Sequence, residues 1–380
     1  MYKKCVIIAP GDIMLKKFCI KDFNYKNEKI LEQLNKSSRA LAELKGYAKS
    51  LPNADILLNV ITINEAKDSS EIENIVTTHD KIYKALTQND YKEESAKEVV
   101  DYRNAIYKGF ELVKKNNYIN TNTLVQIQET LEHNNAGIRK TLGTSLINSK
   151  TQEIIYTPPQ TETEIRDYLK NLEEFINNFD DGIDPLIKLA LIHYQFELIH
   201  PFYDGNGRTG RILNVLYLVL TNLLDSPILY LSRFINKTKQ EYYKQFDITR
   251  KSGNYDDFII YMLKGIEITS LETLRFIMTI QSEMEDFKQE FKDKLPKIYS
   301  DKLLNNLFYG VYTRISYVEK DCGVTRLTAM SYLKQLEKVG LLESEKVGRE
   351  RVYKNIRLIK VLKNMDLEDK LLSYMGSLGE

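Results

Sequence analysis

The chain has no tryptophan, three cysteines and four histidines in 380 residues. Cys5, Cys19 and Cys322 are odd in number and scattered. That argues against a disulfide framework or a cysteine-based zinc site and suits a reducing compartment. His79, His133, His193 and His200 lack the His-Glu-x-x-His spacing of a metalloprotease. No apolar run is long enough to span a bilayer. The richest, 212–224, is one buried helix long and contains Asn214, Thr221 and Asn222. At the N-terminus, Pro10-Gly11-Asp12 stops the run Cys5-Val6-Ile7-Ile8 well short of a signal peptide. Internal repeats and low-complexity tracts are also missing. The expectation is a soluble, cytoplasmic protein with no membrane partner.

An excess of one charge is missing too. Lys and Arg number 54 against 53 Asp and Glu, for a net charge of +1. The balance is uneven, however. Residues 297–363 carry 14 Lys and Arg against 7 Asp and Glu, which marks a separate basic C-terminal module.

What is present is helical periodicity. Ile30, Leu34, Leu41, Leu44 and Ala48 predict a helix over 26–49, stopped at Leu51-Pro52-Asn53. Thr62 with Glu65 three residues on predicts a capping box opening a helix over about 62–77. Ser69 and Glu73 then share one face of that helix. Residues 90–98 are polar and predict a loop. Helices are expected over 99–112, 123–131 and 162–179. Between them, 143–156 has the glycine and β-favouring pattern of a hairpin around Asn148-Ser149-Lys150. Asp184-Pro185 opens a nearly all-apolar helix over 186–199. A second apolar helix covers 208–224, and others cover 237–250, 255–269 and 270–294. Helices over 302–309, 316–321 and 325–339, then strands over 341–345 and 351–355, predict a winged helix. The fold class is therefore mainly α. The expected division is a helical N-terminal domain (1–99), a helical core with a small β-hairpin (100–270), a connecting helix (271–299) and a winged-helix domain (300–380).

Between the two most apolar helices lies His200-Pro201-Phe202-Tyr203-Asp204-Gly205-Asn206-Gly207-Arg208-Thr209-Gly210-Arg211. Packing alone does not ask for that mixture. A Gly-Asn-Gly turn before a helix exposes backbone N–H groups at the positive end of the helix dipole. Arg208 and Arg211 share the face of the first turn. Two guanidiniums beside an anion nest fit a polyphosphate. Asp204 is placed to hold Mg²⁺ and His200 to take a proton from a hydroxyl. Phe202 is an apolar anchor for the loop, and His193 a packing residue. The spacing Gly-x-Gly-x-x-Gly at 205–210 is not a dinucleotide fingerprint, because a helix rather than a strand precedes it.

Residues 200–211 resemble the signature of the Fic (Fido) family, His-Pro-Phe-x-Asp/Glu-Gly-Asn-Gly-Arg-x-x-Arg, at every specified position. The resemblance covers about 25–270. It implies transfer of AMP from ATP, the co-substrate, to a hydroxyl of a target protein. It makes His200 the catalytic base and Asp204 the Mg²⁺ ligand. Gly205, Asn206 and Gly207 would cradle phosphates, with Arg208 and Arg211 on the β- and γ-phosphates. Tyr243, beside Tyr242, falls where the family builds its adenine pocket. Ser69-Ser70-Glu71-Ile72-Glu73-Asn74 is similar to the family's inhibitory motif, so Ser69, Glu73 and Asn74 would hold Arg211 away from nucleotide. The hairpin 143–156 would be the flap on which a target strand docks. Gly207 departs from the lysine of Doc-like phosphotransferases and favours adenylylation.

Self-modification, reverse removal of AMP and a homodimer masking Glu73 are compatible with this reading. Two alternatives stay open. One is a winged-helix DNA-binding regulator, using Thr325, Arg326, Thr328, Ser331 and Lys334 with Arg349 and Arg351. The other is a related enzyme with a different nucleotide or phosphocholine donor.

Overall fold

A computed structural model describes residues 15–18, 24–49, 54–88, 93–147, 154–347 and 350–362. The chain forms two compact units. The first comprises Met1–Lys45, Asn64–Val76 and Asp101–Leu271, and the second Gly46–Ile63, Thr77–Val100 and Glu272–Glu380. The first hundred residues are thus shared between them. Among the described residues no helix is long and apolar enough to cross a membrane.

The first four helices are α1 (Glu28–Lys49), α2 (Ala54–Ile72), α3 (His79–Gln88) and α4 (Glu94–Asn116). α5 (Thr121–Glu132) starts on a capping box between Asn120 and Thr123. Strands β1 (Leu146–Ile147) and β2 (Ile154–Tyr156) pair antiparallel, and the hairpin's centre at 148–153 lies outside the described residues. α6 (Glu162–Asn177) opens on a capping box between Thr161 and Glu164. In α7 (Pro185–Ile199) Asp184 accepts the Leu186 N–H at 2.8 Å and proline takes the first turn. α8 (Asn206–Leu220), α9 (Leu231–Lys237), α10 (Lys239–Ser252) and α11 (Asp256–Lys294) follow.

Hydrophobicity decides the centre of the first unit. α7 and α8 are apolar on all sides, so both must be covered all round. Every residue of α8 except Gly207 is buried. α6 packs on α7, and α5 on α8. The loop 200–205 joins two almost wholly buried helices, which fixes both of its ends.

The second unit contains α12 (Asp301–Tyr309), β3 (Tyr312–Arg314), α13 (Ile315–Cys322), α14 (Arg326–Lys338), β4 (Leu342–Val347) and β5 (Glu350–Asn355). The sheet is antiparallel in the order β3-β5-β4. Three helices and this sheet make up the C-terminal part of the second unit. Phe287, Phe291, Leu303, Phe308, Leu333 and Leu336 lie in its core. The expected wing around 348–349, with Arg349, lies outside the described residues.

Several expectations need correction. The helix expected to begin at Thr62 begins at Ala54. Thr62 caps nothing and donates back to the Leu58 carbonyl within the helix at 2.7 Å. Glu65 is a buried anchor instead. α2 ends at Ile72, so Glu73 and Asn74 sit in the turn beyond it. α4 begins at Glu94, inside the expected polar loop. The helices expected over 255–269 and 270–294 are one, α11. α3 and α9 had no strong sequence signal.

α2 is held by buried carboxylates. Glu65 accepts the Ser232 N–H at 2.9 Å and the Tyr102 hydroxyl at 3.2 Å, and the Ser232 hydroxyl also donates to it. The Tyr230 hydroxyl donates to Asp68. Burial pushes the Glu65 carboxyl up to about 7, with Ser232 opposing the shift, and pushes Asp68 up as well. A raised carboxyl contributes stability below its ordinary pKa that is lost as pH rises through its folded value. Glu65→Gln keeps an acceptor for Ser232 and removes the titration. Its melting temperature should fall less than the parent's between about pH 5 and 8, a difference of roughly 2 kcal/mol. Parallel melting curves of the two proteins would contradict this.

Candidate active site

α7 ends at His200, whose backbone is left-handed (φ 47°, ψ 59°) while its N–H still closes on the Phe196 carbonyl at 3.1 Å. The turn throws the imidazole out of the helix line. Phe202 is 1% exposed, with its ring 6.3 Å from that of Phe196. Asn206 stitches the loop. Its Oδ1 accepts the Phe202 N–H at 2.8 Å and its Nδ2 donates to the Phe202 carbonyl at 2.9 Å. The Asn206 side chain is therefore committed to the loop, and its backbone N–H is the group it offers an anion. Gly205 precedes α8 in a left-handed conformation (φ 77°) with no side-chain cap. The first N–H groups of α8 stay open.

Three carboxylates surround this nest, each against a glycine. A Cβ on Gly205 would lie 2.6 Å from Glu132 Oε1, and one on Gly207 2.5 Å from Glu73 Oε1. One on Gly210 would strike Glu197 Oε1. The motif glycines thus leave room for neighbouring carboxylates.

Both motif arginines already have partners. Arg211 donates from Nε to Ser69 Oγ at 2.7 Å, and from Nη2 to the Ser69 carbonyl at 3.1 Å and to Glu73 Oε1 at 2.8 Å. Its side chain is 3% exposed and that of Glu73 36%. Burial would raise the Glu73 carboxyl, but Arg211, with Arg208 and Lys239 behind it, holds it below the ordinary value. Arg208 pairs with Glu132 at 2.7 Å and lies 3.9 Å from Asp204. Asn74 takes the left-handed conformation (φ 66°) that ends the α2 turn, and Lys239 donates to its side chain at 3.2 Å and to the Ile72 carbonyl. That conformation is one that Gly or Asn adopts readily.

His200 is half-buried, and its Nδ1 is buried with no hydrogen-bond partner among the described residues. Burial pushes the imidazole down to about 4; the Glu197 backbone carbonyl opposes this most, the Arg139 charge adds to it, and Glu73 and Asp204 oppose it further. It is therefore neutral, able to accept a proton, near pH 7. His193 packs as expected, bonded to the Tyr242 hydroxyl at 2.7 Å and to Asn214 at 3.1 Å, with burial pushing it down to about 3. Tyr242 turns into the core, while Tyr243 is 49% exposed and lies edge-on to it at 5.2 Å. Burial, then the Glu73 charge, pushes the Tyr243 phenol up to about 12.

Asp204 presents a carboxylate 79% exposed, with Oδ1 accepting the Gly205 N–H at 2.7 Å. Among the described residues no cluster of three or more His, Cys, Asp or Glu could hold a metal by itself. A lone exposed carboxylate beside an anion nest fits Mg²⁺ that takes its remaining ligands from phosphate and water.

Sequence reasoning missed Glu132, Lys239, Arg139 and Glu197. The first three had no local signal, because distant parts of the chain bring them in. Glu197 had one, as the single acid within the apolar run 186–199. Burial raises its carboxyl to about 7, which Arg211 opposes and Glu73 reinforces.

A left-handed histidine, an uncapped helix N-terminus and two paired arginines thus meet at one loop. The chain belongs to the Fic/DOC family. Residues 31–111 match the family's N-terminal model and 118–218 its core model. Residues 284–358 match the C-terminal domain of SoFic-like protein adenylyltransferases. Protein adenylyltransferase fic-1 of Caenorhabditis elegans is 32% identical over 113 residues, 30% of this chain and 21% of that protein. The chain thus spans about a fifth of the length of that curated relative. The fold is similar to a Fic family protein from Desulfovibrio desulfuricans G20, with a TM-score of 0.55 at 17% identity, covering 87% of this chain and 96% of that one. It is also similar to Fic-1 (residues 134–508) of C. elegans, with a TM-score of 0.51 at 20% identity, covering 66% and 74%.

The geometry at Asn74 gives a structural prediction. Asn74→Gly should leave thermal stability nearly unchanged. Asn74→Val should cost about 1–2 kcal/mol, because a β-branched side chain resists the left-handed region. Equal melting temperatures for the two variants would show that the turn does not need this conformation.

Proposed function

We propose that the protein is an autoinhibited adenylyltransferase that moves AMP from ATP to a Tyr, Thr or Ser hydroxyl of a target protein. The observation that carries this reading is the place of the Glu73 carboxylate. It lies on Arg211 at 2.8 Å and over Gly207, where an anion held by the nest would sit. A carboxylate there stands where a phosphate oxygen would.

In the proposed reaction His200 takes the proton of the target hydroxyl. The hydroxyl oxygen forms a bond to the α-phosphorus of ATP, and the bond from that phosphorus to the bridging oxygen breaks, releasing pyrophosphate. The α8 N-terminus, Arg208 and Arg211 bind the phosphate charge. Tyr243 offers an exposed ring for the adenine. Mg²⁺ at Asp204 would neutralise phosphate charge. Arg208 must exchange Glu132 for phosphate or bind both. The exposed Ile154 and Ile155 of β2 suit a target strand added to the hairpin edge. The same site supports self-modification, and Glu73 with a water would support removal of AMP.

Because Glu73 is held below the ordinary carboxylate value, its contact with Arg211 is complete above that value. It is lost only as pH falls through the lowered one. Inhibition should not vary between about pH 6 and 8. Glu73 is partly exposed, so its pair with Arg211 is worth less than a fully buried one, about 2 kcal/mol. Glu73→Gly should raise self-labelling from α-phosphate-labelled ATP about 30-fold, and adding His200→Ala should abolish it. No gain in Glu73→Gly would remove the inhibitory role. Labelling that survives the loss of His200 would remove the base.

A second activity is favoured by the outer face of α14. Arg326, Ser331 and Lys334 are exposed there, and Leu327 is 74% exposed. We propose that this helix docks in a DNA groove. The sheet contributes less, since Lys354 pairs with Glu345 at 2.6 Å and Arg351 donates to Ser344 at 2.7 Å. Binding to duplex DNA should weaken steeply with salt and drop in Arg326→Ala/Lys334→Ala. No shift at low ionic strength would remove this reading.

A further inference from the structure

The most deeply buried cation beside the catalytic loop has no part in the chemistry above. Arg139 is 1% exposed. Its Nε donates to the His200 carbonyl at 2.8 Å, and its backbone N–H donates to the Pro201 carbonyl at 2.9 Å. Its Nη2 donates to the Pro159 carbonyl, just after β2. Next to it, the Lys140 N–H donates to the Tyr203 hydroxyl at 2.9 Å. Residues 139–140 are thus zipped along residues 200–203, and one guanidinium joins the base's own peptide to the exit of the hairpin.

We propose that Arg139 is the positioning residue for His200, holding its peptide in the left-handed turn that presents the imidazole. A non-glycine residue resists that conformation by roughly 1–2 kcal/mol, so something must hold it there. The two carbonyls that define the turn, His200 and Pro201, are the two that Arg139 grips. The nest is built differently, by Asn206 on Phe202 and by the glycines of α8. Losing the Arg139 side chain should therefore misplace the base and leave phosphate binding alone.

Charge points the same way. Burial disfavours a guanidinium here, and its electrostatic neighbours are the phenols of Tyr156 and Tyr203. Packing alone does not call for a buried cation. A cation facing the His200 peptide adds to the burial that favours the neutral imidazole, against the opposing pull of the Glu197 carbonyl, Glu73 and Asp204.

The inference rests on His200 being the base, and the test separates the two. In the full-length Glu73→Gly protein, kcat and KM for ATP are measured for Arg139→Gln and Arg139→Lys. Both should lose kcat on the order of 100-fold with KM within about twofold, since neither side chain bridges the His200 and Pro159 carbonyls with a fixed fork, while the backbone bond to Pro201 remains. The acid limb of the pH–rate profile should move up in Arg139→Gln and stay in Arg139→Lys, which keeps the charge. An unchanged kcat, a loss confined to KM, or an unmoved acid limb in Arg139→Gln would overturn the proposal. If Arg139→Gln does not fold, Arg139→Lys decides, by its loss of kcat at constant KM or by parental kinetics. If the Glu73→Gly protein itself transfers no AMP, the functional reading fails. Arg139 is then judged by the His200 NMR titration, whose midpoint should rise in Arg139→Gln, or in Arg139→Lys move little while the ring environment changes. Spectra identical to the parent's would overturn it.

Discussion

Arg211 cannot be left unpaired. It lies in the second turn of a helix buried almost throughout, and its side chain is almost sealed from water. A guanidinium so placed needs an anion and acceptors around it. Ser69 supplies two acceptors and Glu73 the anion. The demand reaches outward from there. Glu73 can meet Arg211 only if the end of α2 is fixed, and Glu65 and Asp68 fix α2 through Ser232, Tyr102 and Tyr230. Asn74 then turns the chain away in the left-handed conformation that Asn tolerates. One buried charge thus bears on the placement of the end of α2.

The same logic relates the glycines to the acids. Gly205, Gly207 and Gly210 each face a carboxylate, from Glu132, Glu73 and Glu197. An anion nest ringed by three acids is electrostatically divided. In the resting state Glu132 pairs with Arg208 and Glu73 with Arg211. In the proposed reaction phosphate must displace at least one of them. Glu73 is the acid whose side chain is exposed enough to leave, at 36%, whereas Glu132 is at 14%. The difference in exposure separates a removable partner from a fixed one.

Much of this was legible in the chain. The loop 200–211 concentrates too many polar roles between two apolar helices to be packing, and α7 and α8 bound it as their hydrophobicity requires. The helix–strand order of the C-terminal module followed from periodicity and glycine positions. What stayed hidden depended on tertiary partners. Thr62 and Glu65 have capping-box spacing, but Glu65 meets Ser232 and Tyr102, so the carboxylate anchors where spacing alone predicted a cap. Glu132, Lys239 and Arg139 are ordinary residues until the fold brings them to the loop. α11 runs straight through the break expected at 269–270, because Thr269 and Ser270 are buried within one continuous helix.

The central claim is that Glu73 and the terminal phosphate of a nucleotide compete for Arg211. Calorimetric titration of the full-length protein with ATP and with ADP, in the parent and in Glu73→Gly, tests it most directly. The account predicts that the parent binds the two with similar affinity, and that Glu73→Gly gains affinity for ATP selectively. An ATP-to-ADP affinity ratio that is the same in both proteins would contradict it.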